Sequence, residues 1–201
     1  MIDETTGAVD KRVHRSKQLI LTTTYELLSE AGIDGVSVDE VSRRSGVSKT
    51  TIYRHWPSRS ALLMAACSQA GPQAEVPNTG SLKGDIAALA VQLADQLRSA
   101  RWAVILPSII DAAERDPELA QLHRSLHAGL MAPYIAIAER AIRRKELAPG
   151  LTPADVAAAI VAPLFYRRWF SREPIDDQFV KKIIRNLVGE LSRNARTGKK
   201  T

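Results

Sequence analysis

The stretch GVSKTTIYRHWPSRSALL at residues 46–63, with AGIDGVSVDEVSRRS at residues 31–45 immediately before it, contains the strongest local signals for the fold of this chain. Ser37 and Ser48 each precede a run with helical spacing. Serine is a favoured N-cap because its side-chain oxygen accepts a hydrogen bond from a free backbone amide. Gly46 lies between the two runs, where a tight turn is needed. The stretch therefore predicts two short helices joined by a turn.

The second of these helices is predicted to have an apolar inner side and a polar outer side. With about 100° of rotation per residue, the inner side carries Ile52, His55 and Trp56. The outer side carries Lys49, Thr50 and Tyr53. A helix that enters the major groove of DNA needs this division, because the inner side fixes its tilt and the outer donors reach phosphates and base edges. The pattern predicts a helix-turn-helix at residues 37–56.

The charge around these helices is concentrated. The chain has a formal net charge of +6, and no acidic residue lies between Glu40 and Glu75. That window contains Arg43, Arg44, Lys49, Arg54 and Arg59. A cationic patch of this kind indicates an anionic partner such as DNA, whereas a solvated basic surface is the alternative on charge alone.

With these motifs in place, residues 13–64 resemble the DNA-binding domain of the tetracycline-repressor (TetR) family. The resemblance depends on GVS, IYRHW and SRSALL standing at the family's spacing. It implies an all-α fold and a dimeric, sequence-specific DNA-binding transcriptional regulator, a repressor that a small-molecule effector releases from its operator. The implied partners are double-stranded operator DNA, a second copy of the chain and an unidentified effector.

The resemblance also implies roles for individual residues. Ser37 stands where family members bind a phosphate, and Arg59 stands at a basic phosphate-contacting position after the recognition helix. Lys49, Thr50 and Thr51 match positions that meet bases or backbone, and Tyr53 and His55 match aromatic positions that hold phosphates. Arg54 lies beside them at a variable position, where its guanidinium reads guanine or neutralises backbone.

Two residues depart from this picture. Asp39 occupies a position in the first of the two short helices that carries a base-reading basic residue in some members, so a base contact from that helix is in doubt. His55 falls on the inner side by periodicity, which leaves a core histidine and a DNA contact both open. The resemblance favours the contact.

The pattern of the remaining chain predicts helices throughout, with capping residues at several helix starts. Ser37 with Glu40 three residues later is the pattern of a capping box, and Asp116 and Thr152 each cap a helix whose first residue is proline. The fold class is therefore all-α, an N-terminal three-helix helix-turn-helix domain followed by a larger helical ligand-binding and dimerisation domain. The predicted segments are a flexible arm at 1–12, the DNA-binding domain at 13–70, a linker at 71–80, the effector-binding and dimerisation domain at 81–192, and a basic tail at 193–201.

The larger domain offers candidates for an effector pocket, because helical bundles bind ligands between facing helices. The candidate lining residues are Trp102, Ile105, Ile109, Leu126, Leu130, Tyr134, Phe165 and Trp169. Core packing is the alternative role for each of them.

A dimer is predicted because one recognition helix reads only a few base pairs, so useful specificity needs two copies. The helix near residues 176–191 has a broad apolar face, and it is expected to pair with its symmetry mate together with the helix around residues 153–170. The predicted interface residues are Phe179, Val180, Ile183, Ile184 and Leu187.

Other function classes lack support in the sequence. No nucleophile-elbow, phosphate-loop or dinucleotide motif is present, so neither an enzyme nor a cofactor is expected. His123 and His127 stand four apart but lack the glutamate of a zincin site, and Cys67 is the single cysteine. No run approaches the roughly 18 apolar residues of a membrane span, and the N-terminus lacks a signal-peptide pattern, which indicates a cytoplasmic protein. A helical scaffold whose basic head contacts another anion, and an enzyme of unknown type, remain the alternative functions.

Overall fold

The structure, a computed structural model, describes residues 4–70, 75–99 and 101–192. In these ranges the chain forms helices and turns without a β-strand, which confirms the all-α prediction. The α-helices are α1 (Glu4–Ala31), α2 (Val38–Ser45), α3 (Lys49–His55), α4 (Arg59–Ala70), α5 (Leu82–Ser99), α6 (Trp102–Ala113), α7 (Pro117–Arg143), α8 (Pro153–Phe165) and α9 (Asp177–Ser192). A 3₁₀ turn at Ile33–Gly35 follows α1, and a π-helical segment at Tyr166–Ser171 follows α8.

The predicted helix starts are confirmed by capping hydrogen bonds. The backbone amide of Thr51 donates to Ser48 Oγ over 3.3 Å at the start of α3. The amide of Glu118 donates to Asp116 Oδ1 over 2.8 Å at the start of α7. Thr152 forms a complete capping box at the start of α8, because its hydroxyl and the carboxylate three residues later each accept the other's backbone amide. Short-range patterns therefore determine where these helices begin.

The beginning of α1 differs from the prediction. Residues 1–12 were expected to form a flexible arm, but α1 begins at Glu4. The segment lacks the apolar periodicity that marks a packed helix, so the sequence pattern missed it. It contains no proline, so its sequence does not prevent the helix from extending to Glu4.

The described residues fall into two compact units. The first takes those within Met1–Gly71 and Val104–Leu126, and the second takes those within Pro72–Ala103 and His127–Thr201. Residues 104–126 thus pack with the N-terminal helices, whereas the sequence analysis assigned them to the larger domain. The predicted linker at 71–80 is described only from Glu75 onward, where it has no regular structure before α5, and the predicted basic tail lies outside the described residues.

A contact within the first unit shows why residues 104–126 belong to it. The backbone amide of Ile33 donates to Ser108 Oγ over 3.2 Å, across 75 positions of sequence. At Gly32, with φ of 67°, an added Cβ would lie 3.1 Å from the Cβ of Ser108. Glycine is therefore required there both for its left-handed backbone and for the close approach of α6.

The second unit is built around one continuous apolar core. Residues of α5, α7, α8 and α9 contribute, and Ile86, Leu89, Ile137, Ile160 and Leu164 are fully buried within it. Within this unit α9 packs against α5 and α8. The apolar face of the last helix is thus largely used inside the unit.

One charged residue is fully buried in the second unit. The Asp85 carboxylate accepts hydrogen bonds from the backbone amide and the hydroxyl of Thr79, over 2.7 and 2.8 Å. Nη2 atoms of Arg140 and Arg144 lie 3.6 and 3.4 Å from Asp85 Oδ2. Burial acts to raise the pKa of Asp85, but the hydrogen bonds from Thr79 and the two guanidinium groups outweigh it and hold this pKa below its ordinary value. Asp85 is therefore ionised and fully partnered at neutral pH.

Within the described ranges, none of the helices combines the length and the apolar character needed to cross a lipid bilayer.

Candidate nucleic-acid interface

The turn between α2 and α3 has the geometry that a tight helix connection needs. Gly46 ends α2 with φ of 67° and ψ of 9°, a left-handed conformation that is costly for other residues. The hydroxyl of Ser42 donates to the carbonyl of Val47 over 2.8 Å, which ties α2 to the residue before the cap of α3. The turn is thus held by backbone conformation and by one side-chain hydrogen bond.

Of the residues predicted for the inner side of α3, Ile52 is buried, whereas His55 and Trp56 are half-buried. Ile52 is fully buried and anchors the helix, together with the fully buried Val41 of α2. On the opposite side Thr50 and Arg54 are exposed, and Lys49 and Tyr53 keep 58% and 50% of their surface. A short helix with a buried anchor and a protruding polar side has the form of a recognition helix.

Ser37 lies exposed at the N-terminus of α2, where a phosphate contact is predicted. Its hydroxyl accepts the backbone amide of Glu40 over 3.1 Å. The predicted capping box is only half formed, because the Glu40 carboxylate accepts hydrogen bonds from Arg43 and Arg44 instead. These hydrogen bonds, that of Arg43 first, lower the pKa of Glu40 to about 2.

The cationic patch predicted from the sequence is largely paired within the protein. Arg44 reaches Glu30 of α1 over 2.6 Å in addition to Glu40. Lys49 Nζ pairs with the carboxylate of Asp39. Acidic residues that flank the window in sequence thus fold back onto it, an arrangement that a count along the chain does not reveal. Arg54 makes no ion pair within the described part of the chain.

Asp39 gains a role that the sequence analysis did not assign. It stands out in the sequence as an acidic residue at a basic position, and the structure places it against the first residue of α3. Both side chains are more than half exposed, at 71% for Asp39 and 58% for Lys49. The ion pair is therefore a surface contact, which contributes little to stability.

Two predicted DNA contacts are engaged elsewhere. The hydroxyl of Thr51 shares a hydrogen bond of 2.9 Å with the cap Ser48. Arg59 Nε donates to the carbonyl of Val36 over 2.6 Å, and its Nη2 donates to the carbonyl of Ile33. Arg59 thus fastens the start of α4 to the segment before α2, and this internal use accounts for a basic residue at that position.

His55 lies half-buried at the edge of α3. Its ring meets Trp56 edge-on, with centroids 5.6 Å apart. Burial lowers the pKa of His55, and the positive charges of Lys17 and Arg54 lower it further. The imidazole is therefore neutral at physiological pH and retains one N–H donor.

The predicted effector-pocket residues are distributed over both units. Ile105 and Ile109 are fully buried in the first unit, and Leu126 is half-buried there. In the second unit, Tyr134 belongs to the core, and the residues that pack against this core are Leu130, Phe165 and Trp169. The side chain of Trp102 lies outside the described residues. Core packing accounts for the buried members, while Trp169 also lines a cavity.

Most of the predicted dimer residues prove to be core residues of the chain itself. Val180, Ile183 and Leu187 are buried in the core of the second unit, so they present no face to a partner. Phe179 and Ile184 are half-buried. The sequence shows that the last helix has an apolar face, but it does not show that α5 and α8 cover that face.

Among the described large apolar side chains, two of the most exposed lie on the π-helical segment. Tyr166 and Phe170 are 60% and 78% exposed, and their rings stack with centroids 5.9 Å apart. The sequence analysis missed this aromatic pair, because it extended the pattern of α8 as a regular helix. The spacing of four residues between Tyr166 and Phe170 could have indicated that both rings lie on one side of the helix.

No three or more His, Cys, Asp or Glu side chains of the described ranges are grouped so that they would hold a metal ion. Cys67 is buried, and this burial raises the pKa of its thiol to about 12.

Comparison with known families gives two matches that together span most of the chain. The family described as bacterial regulatory proteins, tetR family, matches residues 20–66. The family described as tetracyclin repressor-like, C-terminal domain, matches residues 76–187. The first match contains the whole of α2, α3 and the turn between them.

Individual relatives agree with these matches. The HTH-type transcriptional regulator YdeS of Bacillus subtilis is 33% identical over 190 residues, which cover 94% of each chain. The DNA-binding transcriptional repressor TetR of Mycobacteroides abscessus is 29% identical, over 87% of this chain and 92% of its own. Among solved structures, the TetR family transcription regulator SCO0332 superposes with a TM-score of 0.68 at 27% identity, over 88% of this chain and 98% of its own.

Proposed function

Because the chain belongs to the TetR family of bacterial transcription regulators, we propose that it is a dimeric repressor whose α3 binds operator DNA and which a small-molecule effector releases. The effector binds to the second unit, and it acts by favouring a conformation with lower affinity for the operator. The mechanism includes no catalytic step. A protein whose partner is the bacterial chromosome works in the cytoplasm.

The observation that carries this proposal is the two-sided character of α3. Ile52 is buried completely, while Lys49, Thr50, Tyr53 and Arg54 stand out on the other side. Side chains of these types supply hydrogen-bond donors for phosphates and base edges. The exposed Ser37 at the start of α2 adds a hydroxyl and nearby free amides for a phosphate.

The proposal is tested by selecting bound duplexes from a random DNA library and measuring their affinity by mobility shift. The expected product is a near-palindromic sequence, since a twofold dimer reads two half-sites spaced by one helical turn of about 34–36 Å or a multiple of it. Recovery of no enriched sequence would overturn the proposal.

Lys49 and its ion-pair partner are expected to have opposite effects on operator binding. Lys49→Ala is expected to weaken binding by about 1–3 kcal/mol if the ammonium contacts a base, or to lower the salt slope by about one if it holds a phosphate. Asp39→Asn is expected to strengthen binding by up to about 1 kcal/mol, because the carboxylate no longer competes for Lys49. Mobility shifts at two salt concentrations measure both effects.

Lys182→Ala, which removes an exposed cation of α9, is the control for this pair of variants. It is expected to leave affinity and salt slope unchanged. Equal effects of Lys49→Ala and Lys182→Ala would show that overall charge, and not α3, determines binding.

We propose that the dimer interface includes the aromatic pair Tyr166 and Phe170. Two large rings with 60% and 78% of their surface exposed are costly to leave in water, and a symmetry mate would cover them. The double variant Tyr166→Ser, Phe170→Ser is expected to sediment as a monomer at concentrations where the native chain is dimeric. Ile142→Ser, at a residue of α7 that is 44% exposed, is the matched control and should remain dimeric. An unchanged dimer in the double variant would move the interface elsewhere.

A further inference from the structure

A cavity of about 390 Å³ in the second unit is lined by an unusual number of arginines. It lies among the end of α5, the π-helical segment and the residues that precede α9. Arg98 comes from α5, Arg167 and Arg168 come from the π-helical segment, and Arg172 follows that segment. Its volume lies in the range of small-molecule sites, about 300–1,000 Å³.

Two of the four arginines are already neutralised by the protein. Arg98 pairs with Asp95 and Asp177, over 2.9 and 2.7 Å. Arg167 Nε lies 3.1 Å from the carboxylate of Glu173, which also lines the cavity. The acidic residues around the cavity are therefore occupied by these two cations.

The other two arginines keep an uncompensated charge. In the described part of the chain, neither Arg168 nor Arg172 forms an ion pair. Nε of Arg168 is buried and has no hydrogen-bond partner. An unpaired buried donor is unfavourable, and an oxygen atom of a bound anion is an acceptor of the type that would satisfy it.

The rest of the cavity wall is largely apolar. The indole of Trp169 lines it, held edge-on against Phe165 with ring centroids 4.6 Å apart. Leu97 and Ile175, both mostly buried, complete the apolar side. The cavity therefore combines a flat hydrophobic wall with two free guanidinium groups.

We infer that this cavity binds a small organic anion, an acidic group attached to an apolar or aromatic body, and that this anion is the effector. The acidic group lies against Arg168 and Arg172, and the apolar body lies against Trp169. The presence of an anion site follows from the cavity alone, whereas its role as the effector site rests on the proposed function.

Binding is tested first without DNA, by calorimetric titration with four probes. They are 1-naphthoate, 1-naphthyl phosphate, the neutral 1-naphthamide and inorganic phosphate. At least one aromatic anion is expected to bind. The affinities for the amide and for inorganic phosphate are each expected to be lower than the affinity for this anion by about 10-fold or more. The tighter of the two aromatic anions identifies the preferred acidic group.

Variants then assign the binding to the two free arginines. Arg168→Gln and Arg172→Gln are each expected to lower the affinity for the aromatic anion by about 10-fold. Arg143→Gln, which removes an exposed cation of α7 that does not line the cavity, should not change this affinity. Arg172 is exposed, so its variant keeps the test decisive if Arg168→Gln fails to fold. Absence of binding, equal affinity for acid and amide, equal affinity for inorganic phosphate, or an equal loss in Arg143→Gln would overturn the inference.

The effector role is tested by the release of selected operator DNA. The concentration of aromatic anion that releases the DNA is expected to rise about 10-fold in Arg172→Gln, in proportion to its weaker binding. Anion binding that releases no DNA would overturn the effector role. A protein that binds the anion but never binds DNA would contradict the proposed function and leave the anion site intact.

Discussion

Simultaneous replacement of Lys49, Tyr53 and Arg54 by alanine is expected to weaken operator binding by about 100-fold or more. These side chains form the larger part of the exposed side of α3, and one good base or phosphate contact contributes about 1–3 kcal/mol. Their removal leaves the buried anchor Ile52 and the cap Ser48 untouched, so α3 should keep its position. Mobility shift with the selected operator measures the affinity, and circular dichroism checks that the helices remain.

The control for this variant removes more positive charge from a different part of the chain. Lys83, Arg143 and Lys145 are exposed cations of the second unit. Their triple alanine variant loses three charges, whereas the α3 variant loses two. Operator affinity should nevertheless stay within about threefold of the native value. A greater loss in this control than in the α3 variant would refute the assignment of binding to α3.

Asp85→Ala is expected to lower the free energy of unfolding of the second unit by about 3–5 kcal/mol. The carboxylate is completely buried between Arg140, Arg144 and Thr79. Its removal leaves the guanidinium of Arg140 without its carboxylate partner and leaves Arg144 with Glu146 alone. Breaking a buried ion pair from one side is costlier than replacing the whole pair. Urea unfolding followed by circular dichroism measures the change.

Asp95→Ala is the matched control on the same helix. Asp95 is 62% exposed and pairs with Arg98 at the surface, so its loss should cost less than about 1 kcal/mol. Equal destabilisation by the two variants would show that burial of Asp85 is not the cause.

The contribution of Asp85 also has a defined dependence on pH. Because its pKa is lower in the folded chain than in the unfolded chain, the ionised carboxylate stabilises the fold above the ordinary carboxyl pKa of about 3.9. This stabilisation is lost as the pH falls through the lowered folded value. The difference in stability between the native chain and Asp85→Asn should therefore persist at neutral pH and shrink only in strong acid.

The parts of the fold that the sequence predicted depend on contacts between close neighbours along the chain. Ser48 accepts an amide three residues away, and Thr152 exchanges hydrogen bonds with Asp155 over the same spacing. The two sides of α3 follow from helical periodicity, since Ile52 is buried and Tyr53 is exposed. Such interactions are visible in a single sequence because both partners lie within one helical turn.

The parts that the sequence did not predict depend on partners brought together by packing. Arg59 reaches carbonyls 23 and 26 positions away, so a basic residue expected at a phosphate serves the protein's own backbone. Lys49 meets Asp39 across the turn between α2 and α3. The apolar row of α9 looked like surplus surface, but α5 and α8 cover it. In each case the sequence shows the type of the residue, but it does not show which partner that residue contacts in the folded chain.

The candidate cavity illustrates the same difficulty. Apolar residues were selected from the sequence for ligand binding. Three of them, Ile105, Ile109 and Tyr134, are buried core residues, and three more pack against the core of the second unit. Arg98 and Arg172 are 74 positions apart in the sequence, and only the packing of α5 beside the π-helical segment brings them to one cavity. Trp169 was the member of the predicted set that the cavity includes.

A cleavage reagent attached to the outer side of α3 shows whether this helix lies in the DNA groove. Thr50→Cys offers an exposed thiol for an iron–EDTA label, while Cys67, 3% exposed and with a pKa raised to about 12, stays unlabelled. The labelled protein is expected to cut the selected operator at two clusters separated by about 34–36 Å or a multiple of that spacing. A label at Lys145→Cys should give no such clusters. Uniform cutting from position 50, or clustered cutting from position 145, would contradict the placement of α3 in the DNA groove.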